Sequence, residues 1–191
     1  MKTLLPLCIA TALLAACGQR DTANQPAATD PAPPAEAPAP QPAGATASLQ
    51  PTEGNTATGT LALTQDGNGV RLSGTLRGLT PGSQFGFHIH EKGDCSAPDA
   101  SSAGDHFNPG NTQHGNPDGD AHHAGDMLNV TSDEQGNARV DALADAVSLD
   151  GGQPAGIIGR AVVLHEKADD YATQPSGNSG KRIACGVISA G

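Results

Sequence analysis

Residues 57–78 read ATGTLALTQDGNGVRLSGTLRG. Two short runs, each alternating small or apolar with polar residues, flank Asp66-Gly67-Asn68-Gly69. A period of two puts successive side chains on opposite faces of a strand. Asn and Gly between such runs provide the positive φ values that a tight hairpin turn needs. This stretch therefore predicts a β-hairpin, and the rest of the chain can be read against it.

Moving outward, LNVTSD (128–133) and NARVDALA (137–144) flank Glu134-Gln135-Gly136 in the same way. Further strand candidates are ATASLQ (45–50), QFGFHIHE (84–91), RAVVLHE (160–166) and RIACGVIS (182–189). No stretch carries a convincing helical period. Eight short strands with Gly-rich turns predict an all-β protein, an antiparallel Greek-key sandwich or flattened barrel. Three long connections interrupt it: 92–127, 144–159 and 167–181. The first is longer than structureless loops in compact domains usually are, so something must hold it.

Before residue 45 the composition changes. Met1 and Lys2 precede an apolar run too short to span a bilayer, which reads as an export signal over 1–16. It ends in Leu14-Ala15-Ala16-Cys17, which resembles a bacterial lipobox and marks Cys17 for lipidation. An ordinary signal peptide with an incidental cysteine is the alternative. From Cys17 to Gly44 alanine, proline and glutamine dominate, a composition that cannot bury enough surface to offset its ordering entropy and serves as a semi-extended tether. The expected organisation is a signal (1–16), a lipid-anchored linker (17–44) and a folded part (45–191). Such a protein would face the periplasm of a bacterial envelope. Gly18, rather than an aspartate, after the lipidated cysteine points to the outer membrane by resemblance to lipoprotein sorting rules.

Cys8 leaves with the signal and Cys17 carries lipid, so Cys95 and Cys185 remain in the folded part. In an oxidising compartment they are expected to pair, free buried thiols being the alternative. The net charge of −10, with one tyrosine, three phenylalanines and no tryptophan, argues against nucleic acid as a partner. Phosphate recognition needs clustered Lys and Arg, and single strands need stacking platforms.

The chemistry lies in the histidines. His88 and His90 are two apart in a strand candidate, so both imidazoles project from one face and can chelate one ion. His165, at the end of another candidate, is a natural third ligand. The stretch DHFNPGNTQHGNPDGDAHHAGD (105–126) holds His106, His114, His122 and His123 with Asp126, in a segment with no periodicity and almost nothing to pack. Three nitrogens and a carboxylate complete a closed tetrahedral zinc site, and an imidazole-rich set without thiolate suits copper or zinc rather than magnesium or calcium.

In order along the chain, GFHIHEKGDCS, GDHFNP, QHGNP, HHAGD, VVLHEKADD and SGKRIACGVI resemble the motifs of the copper,zinc superoxide dismutase family over about residues 45–191. The resemblance implies copper ligands His88, His90, His106 and His165, and zinc ligands His106, His114, His123 and Asp126, with His106 shared. It also makes Asp169 the carboxylate joining His88 to His114, and Arg182 the group that attracts and orients the anion beside copper. His122 receives no metal role, since only His123 makes the HAGD block, although a swap between the two is the error to watch for. Asp105, Asp118 and Asp120 are expected to be solvated, replacement of Asp126 by one of them being the alternative. The implied reaction is disproportionation of superoxide to oxygen and hydrogen peroxide, with His106 carrying a proton. Lys181 and Lys167 are further candidates for drawing in the anion.

Three rivals predict different behaviour. A non-catalytic copper- and zinc-binding envelope lipoprotein would bind both ions without consuming superoxide, and a purely structural lipoprotein would bind neither tightly. A zinc hydrolase would need an open zinc position and a general base, yet the ligand set is complete and neither HExxH nor GxSxG occurs. A homodimer is compatible with the sequence, but no long apolar surface pattern declares its interface.

Overall fold

Alternating burial runs through β1 (Ala45–Pro51) and β7 (Ala138–Ala144), as expected of strands that cover a core with one face and meet water with the other. The structure is a computed structural model that describes residues 44–119 and 121–191. The expected signal (1–16), the expected linker up to residue 43 with Cys17, and Asp120 lie outside the described residues. Besides β1 and β7 it contains β2 (Thr58–Asp66), β3 (Gly69–Arg77), β4 (Gln84–Phe85), β5 (Phe87–His90), β6 (Val130–Thr131), β8 (Ala161–His165) and β9 (Arg182–Ala190), with one short 3-10 turn at Ser101–Ala103.

Seven strands form one curled antiparallel sheet in the order β5-β8-β9-β1-β2-β3-β7, and β4 pairs with β6 in a small second sheet. The last strand pairs with the first, and β3 pairs with β7 across the intervening chain, which gives the Greek-key connections predicted from the sequence. The opening hairpin forms as read: Asp66 pairs with Gly69, and Gly67 takes a φ of 59° at the turn.

Two features differ from the simplest reading. The candidate at 84–91 is divided at Gly86, whose N–H donates to Lys167 O and whose carbonyl accepts from His165 N–H. A β-carbon at Gly86 would approach Ser179 Cβ to 2.8 Å and His88 Cε1 to 3.2 Å, so the break also makes room beside His88. The second predicted hairpin keeps its turn, with Asp133 Oδ1 accepting from Gln135 and Asn137 N–H. Its strands do not pair with each other, however: β6 pairs with β4 because Ser132 Oγ donates to Thr80 O and Leu79 N–H to Gly136 O, turning that segment toward 79–85.

The main core gathers Leu49, Leu61, Leu63, Leu72, Phe87, Ile89 and Leu164 among its fully buried side chains. Strands β5 and β8 are buried on both faces. Phe87, Ile89, Val162 and Leu164 face this core, whereas Ala161 and Val163 join a second, smaller cluster with Ala100, Ala103 and Cys185 under the long 92–127 loop. That loop is stapled by the Cys95–Cys185 disulfide, which spans 90 residues of sequence. In the chain-entropy account a crosslink of that reach removes about 4–5 kcal/mol of unfolded-state freedom. His88 and His90 lie on the loop-covered face of β5, where an ordinary strand would place apolar side chains.

Candidate metal centre

Three elements bring the histidines together. Strand β5 supplies His88 and His90, and the end of β8 supplies His165. The long loop is stitched to β5 as though it were another strand: Phe107 N–H donates to Ile89 O, Glu91 N–H to Asp105 O, and Ile89 N–H to Gly125 O. These contacts set His106 opposite His90 and Asp126 opposite His88. A segment without periodicity is thus fixed by backbone pairing to a strand that has it.

Two four-residue groups result, His88-His90-His106-His165 and His106-His114-His123-Asp126, each with its ligand atoms within 4.8 Å of one another and each wholly buried. His106 belongs to both. Its ring centroid lies 3.9 Å from that of His88 and 5.4 Å from that of His114. His122, by contrast, turns away: its Nδ1 donates to His123 O at 2.8 Å, and its Nε2 is 3.4 Å from Asp145 Oδ1. Asp105 and Asp118 are exposed.

The hydrogen bonds sort the ring nitrogens into two kinds. Facing away from the centre, His88 Nε2 donates to Asp169 Oδ2 at 2.7 Å and His114 Nε2 to Asp169 Oδ1 at 2.9 Å. His90 Nδ1 donates to Gly104 O at 2.9 Å, and His165 Nδ1 to Gly180 O at 3.2 Å. Facing inward, His88 Nδ1, His106 Nε2, His114 Nδ1 and His123 Nδ1 are buried with no hydrogen-bond partner. The His114 and His123 nitrogens do lie 2.9 and 3.4 Å from Asp126 oxygens, but off the direction of a hydrogen bond. Converging acceptor atoms, each held in place from behind, are what a metal ligand set requires. Buried polar atoms left unpaired need such an explanation. The residues therefore fit copper in the all-histidine group and zinc in the N3O group.

Burial dominates the titration of the all-histidine side. It pushes His88, His90 and His165 below the ordinary imidazole range, and the neighbouring imidazoles push His90 and His165 further. Burial, then His88, brings His106 down to about 4. On the other side burial also opposes charge on His114, but the carboxylates of Asp126 and Asp169 outweigh it and raise His114 to about 9. Both carboxylates stay ionised well below their usual range, because their imidazole partners overcome the cost of burial. Neutral imidazoles and anionic carboxylates are the protonation states that cation binding uses, so His114 gives up its proton when a cation binds.

Arg182 opens β9 beside this centre. Its Nη1 donates to Ala100 O and its Nη2 to Gly104 O, both at 2.6 Å. Gly104 O therefore receives both His90 and Arg182 and ties the cation to a candidate ligand. Together with Glu91, Asp105, His106, Asn108 and His165, Arg182 lines a cleft of about 410 Å³. Neither lysine candidate lines it. Lys181 borders an adjoining depression that shares Arg182, and Lys167 sits with Glu166 in a different one.

One contributor escaped the sequence reading. Asn129 grips the Asp169 main chain from both sides, its Nδ2 donating to Asp169 O at 2.9 Å and its Oδ1 accepting from Asp169 N–H at 2.8 Å. Tyr171 adds its N–H to Asp169 Oδ1 at 2.7 Å. An asparagine 40 residues from its partner carries no local signal in sequence.

Comparison with known proteins agrees with this geometry. The profile of the copper/zinc superoxide dismutase family matches residues 57–188. A superoxide dismutase (Cu-Zn) of Aquifex aeolicus, its number 2, is 44% identical over 135 residues, covering 68% of this chain and 78% of the relative. The superoxide dismutase-like protein YojM of Bacillus subtilis is 46% identical over 128 residues, 64% of each chain. Among solved structures, the clock protein EA4 superposes with a TM-score of 0.71 at 45% identity, covering 82% of this chain and 99% of EA4. A mutant superoxide dismutase-like protein from Bacillus subtilis gives 0.68 at 42% identity, covering 75% and 97%.

Proposed function

The chain belongs to the copper/zinc superoxide dismutase family, and from that premise we propose how its residues divide the work. The reaction converts two superoxide anions and two protons to one oxygen and one hydrogen peroxide. Copper, when bound, supplies the one-electron couple that oxidises one superoxide and reduces the next, a step for which zinc has no redox state. His88, His90, His106 and His165 are its ligands, and His106, His114, His123 and Asp126 are those of zinc.

One observation carries the assignment: His106 directs Nδ1 toward Asp126 and leaves Nε2 buried and unpartnered, with the His88 ring centred 3.9 Å from its own. Such a ring can serve both ions, and Nε2 is the atom that holds a proton and passes it to departing peroxide. Arg182, the cation of the cleft, draws the anion toward that atom and orients it. Asp169 fixes the tautomers of His88 and His114 by accepting a proton-bearing nitrogen from each.

We assign the protein to the bacterial envelope, anchored by lipid on Cys17 and facing the periplasm through the 17–44 tether, as the sequence suggests. The fold suits such an anchor. The described chain begins at Gly44, where Gly191 N–H meets Gly44 O and Ala45 pairs with Ala190. Seven residues later Pro51 pairs with Ala184, next to Ile183 and Arg182. A strand of that length spans roughly 20 Å, so the cleft opens at the end of the sheet remote from Gly44.

The test is metal content measured together with superoxide consumption on the purified full chain. One copper and one zinc per chain with catalytic loss of superoxide is the expected result. Stoichiometric binding of both ions without consumption would leave only the metal-sequestering reading.

A further inference from the structure

His114 is buried, yet its main chain lies in no strand or helix, so its N–H and C=O must find partners elsewhere. Both go to one side chain. Gln174 Oε1 accepts from His114 N–H at 2.9 Å, and Gln174 Nε2 donates to His114 O at 2.8 Å. Among the described residues neither group of His114 has another main-chain partner. The amide thus imitates a paired β-strand across 60 residues of sequence.

We propose that Gln174 is a positioning residue for zinc: it holds the backbone of His114 while Asp169, on the same loop, holds the ring. The inference rests on the reading of His114 as a zinc ligand. A ring fixed only at Nε2 can still swing about that hydrogen bond. Fixing its main chain as well leaves Nδ1 a single direction, toward Asp126 and His123.

The loop that presents Gln174 is organised without it. Asp170 accepts from Ala172 and Thr173 N–H, Gly177 N–H donates to Thr173 O, and Asp170 N–H returns to Gly177 O. Gly177, at φ 64°, lets this loop close directly over the Asp169 carboxylate and the His114 ring, where a β-carbon would collide with both. Gln174 itself is exposed, and among the described residues its one other side-chain hydrogen bond is a long one to Ala172 O at 3.4 Å. Its two strong hydrogen bonds therefore act outward, on the ligand.

The test compares the full chain with Gln174→Ala and Gln174→Glu. Zinc affinity is measured by competition with a chromophoric chelator, and the visible absorption of cobalt(II) placed in the zinc site reports ligand geometry. Glutamate keeps the length and one acceptor but cannot donate to His114 O when ionised. Both variants should bind zinc about tenfold more weakly, at the lower end of what loss of an outer partner costs. The cobalt band should shift, while the copper(II) spectrum should not. Wild-type zinc affinity and an unmoved cobalt band in either folded variant would overturn the clamp, as would a lowered melting temperature with an unchanged band. His114→Ala, measured alongside, separates the two ideas. If it leaves zinc affinity intact, the zinc-site reading fails and the clamp with it; if it weakens zinc while both Gln174 variants do not, the clamp alone fails.

Discussion

Replacing Asp169 by asparagine changes almost no volume and removes one charge, which makes it a sharp test of how the two halves of the centre are joined. The side chain is fully buried. Its Oδ1 accepts from His114 Nε2 and from Tyr171 N–H, and its Oδ2 accepts from His88 Nε2. An amide offers one acceptor and one donor where both imidazoles present N–H groups. At least one ring must then lose its partner or switch tautomer, and a switched ring turns a proton toward the metal. Loss of an outer partner typically costs ten- to hundredfold in metal affinity. That corresponds to about 1.4–2.7 kcal/mol for the affected ion. Keeping Oδ1 toward Tyr171 and His114 satisfies two donors rather than one, so the deficit falls chiefly on His88 and copper. The assay is chelator competition for copper and zinc separately on Asp169→Asn. Wild-type affinity for both ions would refute the idea that this carboxylate sets the ring orientations.

Three other outcomes follow from the same geometry. His106→Ala should weaken both metals together in the same competition assay, and full retention of zinc affinity would contradict a shared ring. Arg182→Ala should lower kcat/KM for superoxide at least about tenfold, within the range of electrostatic focusing, while metal analysis shows both ions retained. In the metal-free chain, His106 at about 4 refuses a proton that the unfolded chain accepts below about 6.5, so stability should fall as pH drops through that window. His114 at about 9 holds a proton that the unfolded chain releases, so stability should also fall as pH rises from about 6.5 to 9. Urea midpoints at pH 5, 6.5 and 9 should peak near the middle value, and a midpoint that climbs steadily with pH would rule out this balance.

The strands were legible because their signal is local: Leu61, Leu63, Val70 and Leu72 alternate, and Gly67 and Asn68 supply the turn between them. The β6 pairing was not, since its choice of β4 over β7 depends on Ser132 reaching Thr80 O, a contact between side chain and main chain 52 residues apart. The candidate ligands were legible through residue type and motif, and all seven fall in the two groups that could hold an ion. What surrounds those ligands was largely illegible. Asn129 and Gln174 act on main-chain atoms, and the carbonyls of Ala100, Gly104 and Gly180 that orient Arg182, His90 and His165 belong to no side chain at all. A one-dimensional pattern records which atoms can ligate, and the fold decides which backbone groups aim them.

Lys167 and Lys181 teach the same lesson about charge. Nearness in sequence to Arg182 suggested that they would help draw in the anion, yet the cleft wall carries Arg182 with the acidic Glu91 and Asp105. Lys92 lies 3.5 Å from Glu91 Oε1 in an exposed pair, too weak an arrangement to reverse the sign of the rim. With a net charge of −10 behind it, long-range attraction cannot come from the molecule as a whole. On the proposed role of Arg182 the anion is drawn by a short-range field instead, and Arg182 has the features that make one effective: it is half-buried and tied at both terminal nitrogens. Partial burial lowers the local dielectric, so a single charge there acts more strongly than several solvated lysines would. Holding it in place removes the entropy cost of ordering a long side chain each time an anion arrives. The disulfide completes this arrangement, because the 95–104 loop it anchors carries the two carbonyls that hold the guanidinium. The crosslink that stabilises the fold therefore also supports the loop that fixes the cation lining the cleft.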